Sequence, residues 1–443
     1  MARNRNEYAD DVCAGRRGQD ERSGRVKKKI IFAALAVVVG AVALYVGVNS
    51  IDANPPDVSA FTTTSEIPAD EDNAWCGFVA ATNAVKRSVD PLAWDKLSPD
   101  EIDALVAENA DALAIFHDAT LRTKWYDPTA RREGAFCVFP VGDFARMIRL
   151  YNAKAERNIA RGEIGAAVDG VRDFLALNRT MHADAESLVC WLVAAGAHGM
   201  ATKLAAQIVA SGKVSDEELH RLLDLLSASD SATRRAGVRQ AVNNEFAYWF
   251  TDALRIFEAE VYSTRKSGIL LRYVYQPART KAQYARFLAK ARELLLHDYD
   301  TGAWEDLEKE INAATASPLG RLAPNCGGRA IVLNVMPVWN GFAMKVARGE
   351  FGLSAAKVVV AAELYRRKTG QRPESLDALV PEFLPSVPTD PFDHGAALKY
   401  DVERDIVWTV GPDRDFTGDI QSGKKSYGRN RKYVVNLDGS EVK

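Results

Sequence analysis

The hydrophobic positions of this chain fall into three regimes. Residues Ile30 to Val48 (IIFAALAVVVGAVALYVGV) carry no charge at all. A run with no polar face predicts a helix surrounded by apolar material on every side. At 1.5 Å per residue it extends about 28 Å, close to the roughly 30 Å of a bilayer core. No second run of this kind follows, so a single crossing is expected.

From Asn73 to about residue 350 the spacing turns helical. Ser98-Pro99-Asp100-Glu101 is a capping box with proline at the first helical position, and Ile102, Leu105 and Val106 follow at i, i+3, i+4. Ser215-Asp216-Glu217-Glu218 repeats the box ahead of Leu219, Leu222, Leu223 and Leu226. Tyr284, Phe287, Leu288, Ala291 and Leu295 form a third stripe. Further helices are predicted near 141–160, 163–178, 183–211, 233–262, 302–315 and 329–346. The stretch 141–211 reads as a hairpin turning at Arg161-Gly162-Glu163, then another helix. One such unit resembles a tetratricopeptide hairpin, but no period of about 34 residues continues, so an irregular helical domain is expected.

After Gly352 a last helix carries Leu353, Ala356, Val360 and Leu364 on one stripe and stops at Gly370. Pro373 to Leu379 make a short helical turn. The period then shortens to two. Leu398–Val402 and Ile406–Val410 flank Glu403-Arg404-Asp405 as a hairpin, and Lys432–Leu437 make a third strand before Asp438-Gly439. Residues 49–72, with Pro55, Pro56 and Pro68, show no hydrophobic period and read as a linker. The expected fold is mainly α. A basic tail (1–29) precedes a transmembrane helix (30–48) and the linker (49–72). An irregular multi-helix extracytoplasmic domain (73–350) follows. A small α+β module (351–443), a long helix on an antiparallel sheet, ends the chain.

Charge orients the apolar run. Residues 1–29 hold nine of the 57 basic and five of the 59 acidic residues, a local balance of +4 that leaves −6 on the rest. Arg22, Arg25, Lys27, Lys28 and Lys29 crowd one edge, while Asp52, Asp57, Glu66, Asp70, Glu71 and Asp72 follow the other. Basic flanks stay in the cytoplasm, so the bulk is expected outside, in the periplasm of a Gram-negative cell. The lipid bilayer is then a partner through residues 30–48. A signal peptide cleaved near Val48-Asn49-Ser50 is the alternative, against which stand the long basic region and the long run. A buried core helix is a third, disfavoured by the all-round apolarity and basic flank.

Composition narrows the class further. Of 443 residues, 47% are hydrophobic and 26% charged, which excludes a disordered, collagen-like or polytopic membrane protein. A net charge of −2, with only Arg131-Arg132 and Lys424-Lys425 as basic spots, excludes a nucleic-acid groove. Cys13 lies before the anchor. Cys76, Cys137, Cys190 and Cys326 lie beyond it, and allow either two disulfides in any of three pairings or four buried thiols. The histidines His117, His182, His198, His220, His297 and His394 form no zinc motif, and no nucleophile elbow or phosphate loop is present. His182 and His198 read as partly buried polar residues. The aromatics Phe246, Tyr248, Trp249, Phe250, Tyr262, Tyr273 and Tyr275 read as core, an exposed partner surface being the alternative.

One resemblance adds to this. Ala361-Ala362-Glu363-Leu364-Tyr365, Thr369-Gly370-Gln371-Arg372-Pro373, Ser375-Leu376, Leu379-Val380, Val387-Pro388, Asp390-Pro391-Phe392 and Val410-Gly411-Pro412-Asp413 resemble the soluble part of the type II secretion protein G family, the pseudopilins. The resemblance covers about a fifth of the chain. It implies a helix ended by a Gly-x-x-Pro turn, with an Asp-Pro-aromatic segment leading into the sheet. A pseudopilin also begins with a leader and a hydrophobic helix. Gly349-Glu350-Phe351-Gly352 offers no leader, and the helix after it carries Lys357, Glu363 and Arg366. Fold without function is therefore expected. With Ser317–Arg321 and Asp72-Asn73-Ala74, the whole chain resembles bacterial single-pass envelope proteins of uncharacterised activity.

Asp413-Arg414-Asp415-Phe416-Thr417-Gly418-Asp419 places oxygens at alternate positions before a glycine, the first half of a calcium loop. Asp413, Asp415, Thr417 and Asp419 are the candidate ligands. The bidentate glutamate of an EF-hand is replaced by Lys424. Pseudopilins bind calcium in the equivalent loop, so the resemblance implies the same here. A solvated turn closed by Asp side chains is the alternative. No catalytic residue and no other cofactor is expected. The leading function is an interaction or scaffold protein of the cell envelope with protein partners there. An accessory part of a secretion or pilus-like apparatus, or an envelope enzyme with an unrecognised site, are the alternatives.

Overall fold

The computed structural model describes residues 29, 31–62, 66–89, 93–128, 140–185, 187–229, 231–251, 254–255, 258–259, 268–313, 323–412 and 434–440. Among these the chain is mainly helical, with one small antiparallel sheet. Helix α1 (Ile31–Val48) is unbroken and none of it is buried against the protein. Length and apolarity do not single it out, however. Leu188–Ala210 and the stretch Cys326–Thr369 are also long and apolar enough to cross a bilayer. In those two, 56% and 44% of the most apolar window is buried in the protein. Packing, rather than composition, sets α1 apart.

A first hydrophobic cluster is built by α2 (Ala74–Asn83), α3 (Pro99–Glu108), α4 (Ala110–Thr120), α5 (Val141–Arg161), α6 (Ile164–Ala183), α7 (Leu188–Ala210) and α8 (Asp216–Ser227). Both capping boxes form, at Ser98 with Glu101 and at Ser215 with Glu218. The α5–α6 turn is the expected one: Gly162 adopts φ +79°, where a Cβ would clash with its own backbone. Helix α7 starts later than its apolar pattern suggests, because the Ser187 hydroxyl accepts from the Cys190 N–H and fixes the first turn there.

A second cluster holds α9 (Ser231–Asn244), a π-helical turn (Glu245–Phe250), α11 (Pro277–Leu295), α12 (Thr301–Ala313), α13 (Cys326–Val335) and the start of α14 (Pro337–Thr369), with the short α10 (Ile269–Val274) running into α11 through Tyr275. Phe246 and Phe250 stack on Tyr284 at 5.9 and 3.7 Å, so these aromatics are core. Tyr273 and Tyr275 are buried too, while Tyr262 and the Trp249 side chain lie outside the described residues.

Helix α14 crosses residue 350 without a break. Trp339, Phe342 and Ala347 belong to the second cluster; Phe351, Ala355, Val358 and Val359 belong to the first. Gly349 and Gly352 suggest two helices, yet each glycine costs only about 1 kcal/mol in a helix, less than the burial on either side returns. Gly370, at φ +75°, ends it. Strands β1 (Lys399–Asp401), β2 (Ile406–Trp408) and β3 (Val434–Asn436) pair antiparallel in that order, with Tyr400 opposite Val407 and Val407 opposite Val435. Leu398, Val407 and Leu437 join the first cluster.

The segment after α1 is tied down rather than slack. The Asn49 carbonyl accepts from Gln276 Nε2 at 2.6 Å. The Asp52 carboxylate accepts from the Ala278 and Arg279 N–H groups at 2.7 and 3.2 Å. Asp52 thereby caps α11 from more than two hundred residues upstream, with a negative charge at the positive end of the helix. Further on, Phe61 stacks on Phe246 at 4.6 Å, and Arg292 covers the Phe61 ring and donates to the Ala60 carbonyl at 2.9 Å.

Candidate functional site

A cleft of about 430 Å³ opens where the C-terminal loops meet the second cluster, lined by Arg235, Leu294, His297, Asp298, Asp300, Ala303, Trp304 and His394. Each charged group in it is placed by local structure. Asp300 ends the α11–α12 connection and caps α12 by accepting from Ala303 N–H at 3.1 Å. Its other oxygen lies 3.6 Å from His394 Nε2. Arg235, on α9, donates to Asp298 at 3.0 Å, to Glu350 at 3.2 Å and to the Leu296 carbonyl at 3.2 Å. His394 is exposed, on a left-handed backbone at φ 47°.

The floor of the cleft is a joint. Tyr299 N–H donates to the Pro391 carbonyl at 2.9 Å, its ring meets Phe392 edge-on at 5.6 Å, and Thr301 Oγ1 donates to the Pro412 carbonyl. The Asp390-Pro391-Phe392 segment is fixed by Asp390, whose fully buried carboxylate accepts from Phe392 N–H, Thr409 Oγ1 and Val410 N–H at 2.9, 2.5 and 2.9 Å. Three donors match the lone pairs of a carboxyl group that burial would otherwise leave unpaired. The carboxylates of the cleft are thus committed to caps and ion pairs. Among the described residues no group of three or more His, Cys, Asp or Glu is placed to hold a metal.

A second polar centre lies inside the first cluster. Asp173, fully buried on α6, accepts from His117 Nδ1 at 2.7 Å, from Arg172 at 2.9 and 3.0 Å, and from the Tyr151 hydroxyl. Burial, and next the Asp173 charge, push the Tyr151 phenol far above its usual range. The arrangement orients a half-exposed histidine by a buried carboxylate, which is the geometry of a general base. Its three donors come from α4, α5 and α6, which it pins together.

A third centre is Glu245, half-buried at the start of the π-helical turn, its carboxylate accepting from Leu188 N–H at 3.1 Å. Burial pushes its carboxyl up to about 7, against the pull of that N–H. The fully buried Tyr284 lies close enough to feel its charge.

The calcium candidates Asp413, Asp415, Thr417 and Asp419 lie outside the described residues, as do Cys137, Arg131-Arg132 and Lys424-Lys425. Cys76, Cys190 and Cys326 carry thiols rather than disulfides. His182 and His198 are fully buried, not partly; His182 stacks on Trp191 at 4.4 Å. His220 and His297 are exposed. The structure brings together His297 with His394, and His117 with Asp173; no motif spacing joins these pairs. No sequence signal marked Asp173, because α6 also carries Asp169, Arg172 and Arg179 at half-exposed or exposed positions. No family model, curated protein or solved structure matches the chain.

Proposed function

We propose that the chain is a single-pass membrane protein that holds its helical body against the outer face of the cytoplasmic membrane and works there as an interaction or scaffold protein. The join between α1 and the body carries this reading. Only three residues separate Val48 from Asp52, which caps α11, and Asn49 is already bonded to Gln276. Such a join fixes the orientation of the body relative to the helix axis, which a flexible tether would not. The basic residues 22–29 and the acidic flank after Val48 support a cytoplasmic N-terminus. The committed carboxylates of the cleft favour a structural use over catalysis.

A second reading, an accessory of a secretion or pilus-like apparatus, draws support from the arrangement of β1–β3 on the long helix α14. Against it, the apolar face of α14 is already covered by α7 and α8. One experiment addresses both. A photo-cross-linking residue is placed in the full chain at Leu121 or Val402, 59% and 47% exposed, and activated in cells. Discrete adducts with envelope proteins are expected at one site or both. Adducts with pseudopilins from Val402 would shift the reading to the second. Uncross-linked monomer at both sites contradicts the scaffold role.

A further inference from the structure

We propose that α10 and the chain around it form a second contact with the bilayer, the side chains of Ile51, Leu271 and Val274 meeting the acyl boundary and Arg272 meeting headgroup phosphates. This rests on the reading of α1 as the anchor. The geometry follows from depth. Tyr45 lies three residues inside the end of the apolar run, about 4.5 Å below it. A tyrosine on a helix leans toward the N-terminal turn, which here is toward the bilayer interior. The Tyr45 ring meets the Tyr273 ring edge-on at 6.2 Å. Tyr273 is the fifth residue of α10, so α10 is held at the depth of the last turn of the anchor.

The hydrogen bonds above the contact keep it there. Gln276 is bonded to Asn49, Ala278 and Arg279 to Asp52, and the Tyr273 carbonyl accepts from Asn325 N–H at 2.8 Å. Ile51 is 69% and Val274 38% exposed, Leu271 is half-buried and Arg272 exposed. Apolar side chains with a tyrosine pair and an arginine are the chemistry of the membrane interface, where aromatic rings anchor and cations reach phosphate. Charge agrees. Between Ile269 and Arg292 there are six basic residues and no acidic one, in a part of the chain whose balance is −6. A basic stretch starting at the membrane is drawn to anionic lipid.

The test uses the full chain in vesicles of phosphatidylcholine and phosphatidylglycerol. The vesicles contain a phospholipid with a photoactivatable group near the glycerol, and labelled peptides are mapped by mass spectrometry. Label is expected on α1 and on the peptide 268–276, and Val274→Asp is expected to reduce the second several-fold while α1 stays labelled. Label on α1 with no more on 268–276 than on the peptide bearing exposed Leu121 overturns the second contact and leaves the anchor standing. Loss of label from α1 as well overturns the anchor, and this contact with it.

Discussion

At the scale of single residues, Asp173, Asp390 and Glu245 differ in how many donors reach their carboxyl groups. Asp173 and Asp390 each gather three donors or more, which leaves few of their lone pairs unmatched in the interior. Glu245 has one backbone N–H and a carboxyl raised to about 7. The sign of its effect follows. In the unfolded chain it titrates near 4.5, its ordinary value; folded, it keeps its proton to about 7. Its contribution is therefore full below the lower value and lost as pH rises to the upper, roughly 3 kcal/mol across that window. Glu245→Gln keeps an acceptor for Leu188 and cannot ionise. Thermal midpoints of the two proteins should diverge as pH rises from about 5 to 8, with the variant the more stable at the top. Parallel curves would show that Glu245 is hydrated in the folded state. None of this was legible from sequence, where Glu245 is one acid among many at a helix end.

Elements were readable where the signal is local. The capping boxes at Ser98 and Ser215, the Gly162 and Gly370 stops and the β1–β2 hairpin are all formed by neighbours within a few residues. What failed to read was set by distant partners. Helix α14 is continuous because two clusters grip its halves, and α11 owes its cap to Asp52 far upstream. The π-helical turn at Glu245 has no sequence marker. Helix crossings are likewise invisible in the sequence. At Gly237 an added Cβ would lie 2.0 Å from the His182 carbonyl oxygen and 2.8 Å from its carbon. Both are backbone atoms, so α6 and α9 must part. Gly237→Ala should cost about 1–3 kcal/mol by overpacking, beyond the roughly 1 kcal/mol of helix propensity it returns. Gly341→Ala, with nothing within 4 Å of the new Cβ, should stabilise slightly. Denaturant midpoints of the two variants should move in opposite directions; a common shift would contradict the crossing.

Among the described residues the molecule is one exposed apolar helix joined by a short, bonded segment to a body with two hydrophobic clusters. The long apolar helix α1 was legible because length and apolarity are recorded directly in the composition. Two further helices share both properties, and only their burial tells them apart. The join was not legible, since residues 49–62 have no period and bind through backbone groups and caps. Neither was the cleft, whose residues come from α9, the α11–α12 connection and a loop near His394. The central claim is that α1 spans the membrane and delivers the body outside. A tag at the C-terminus of the full chain, followed through protease treatment of intact spheroplasts, reads this directly. The account predicts that the tag is lost while the cells remain sealed. A tag that survives until lysis would place the body in the cytoplasm and contradict it.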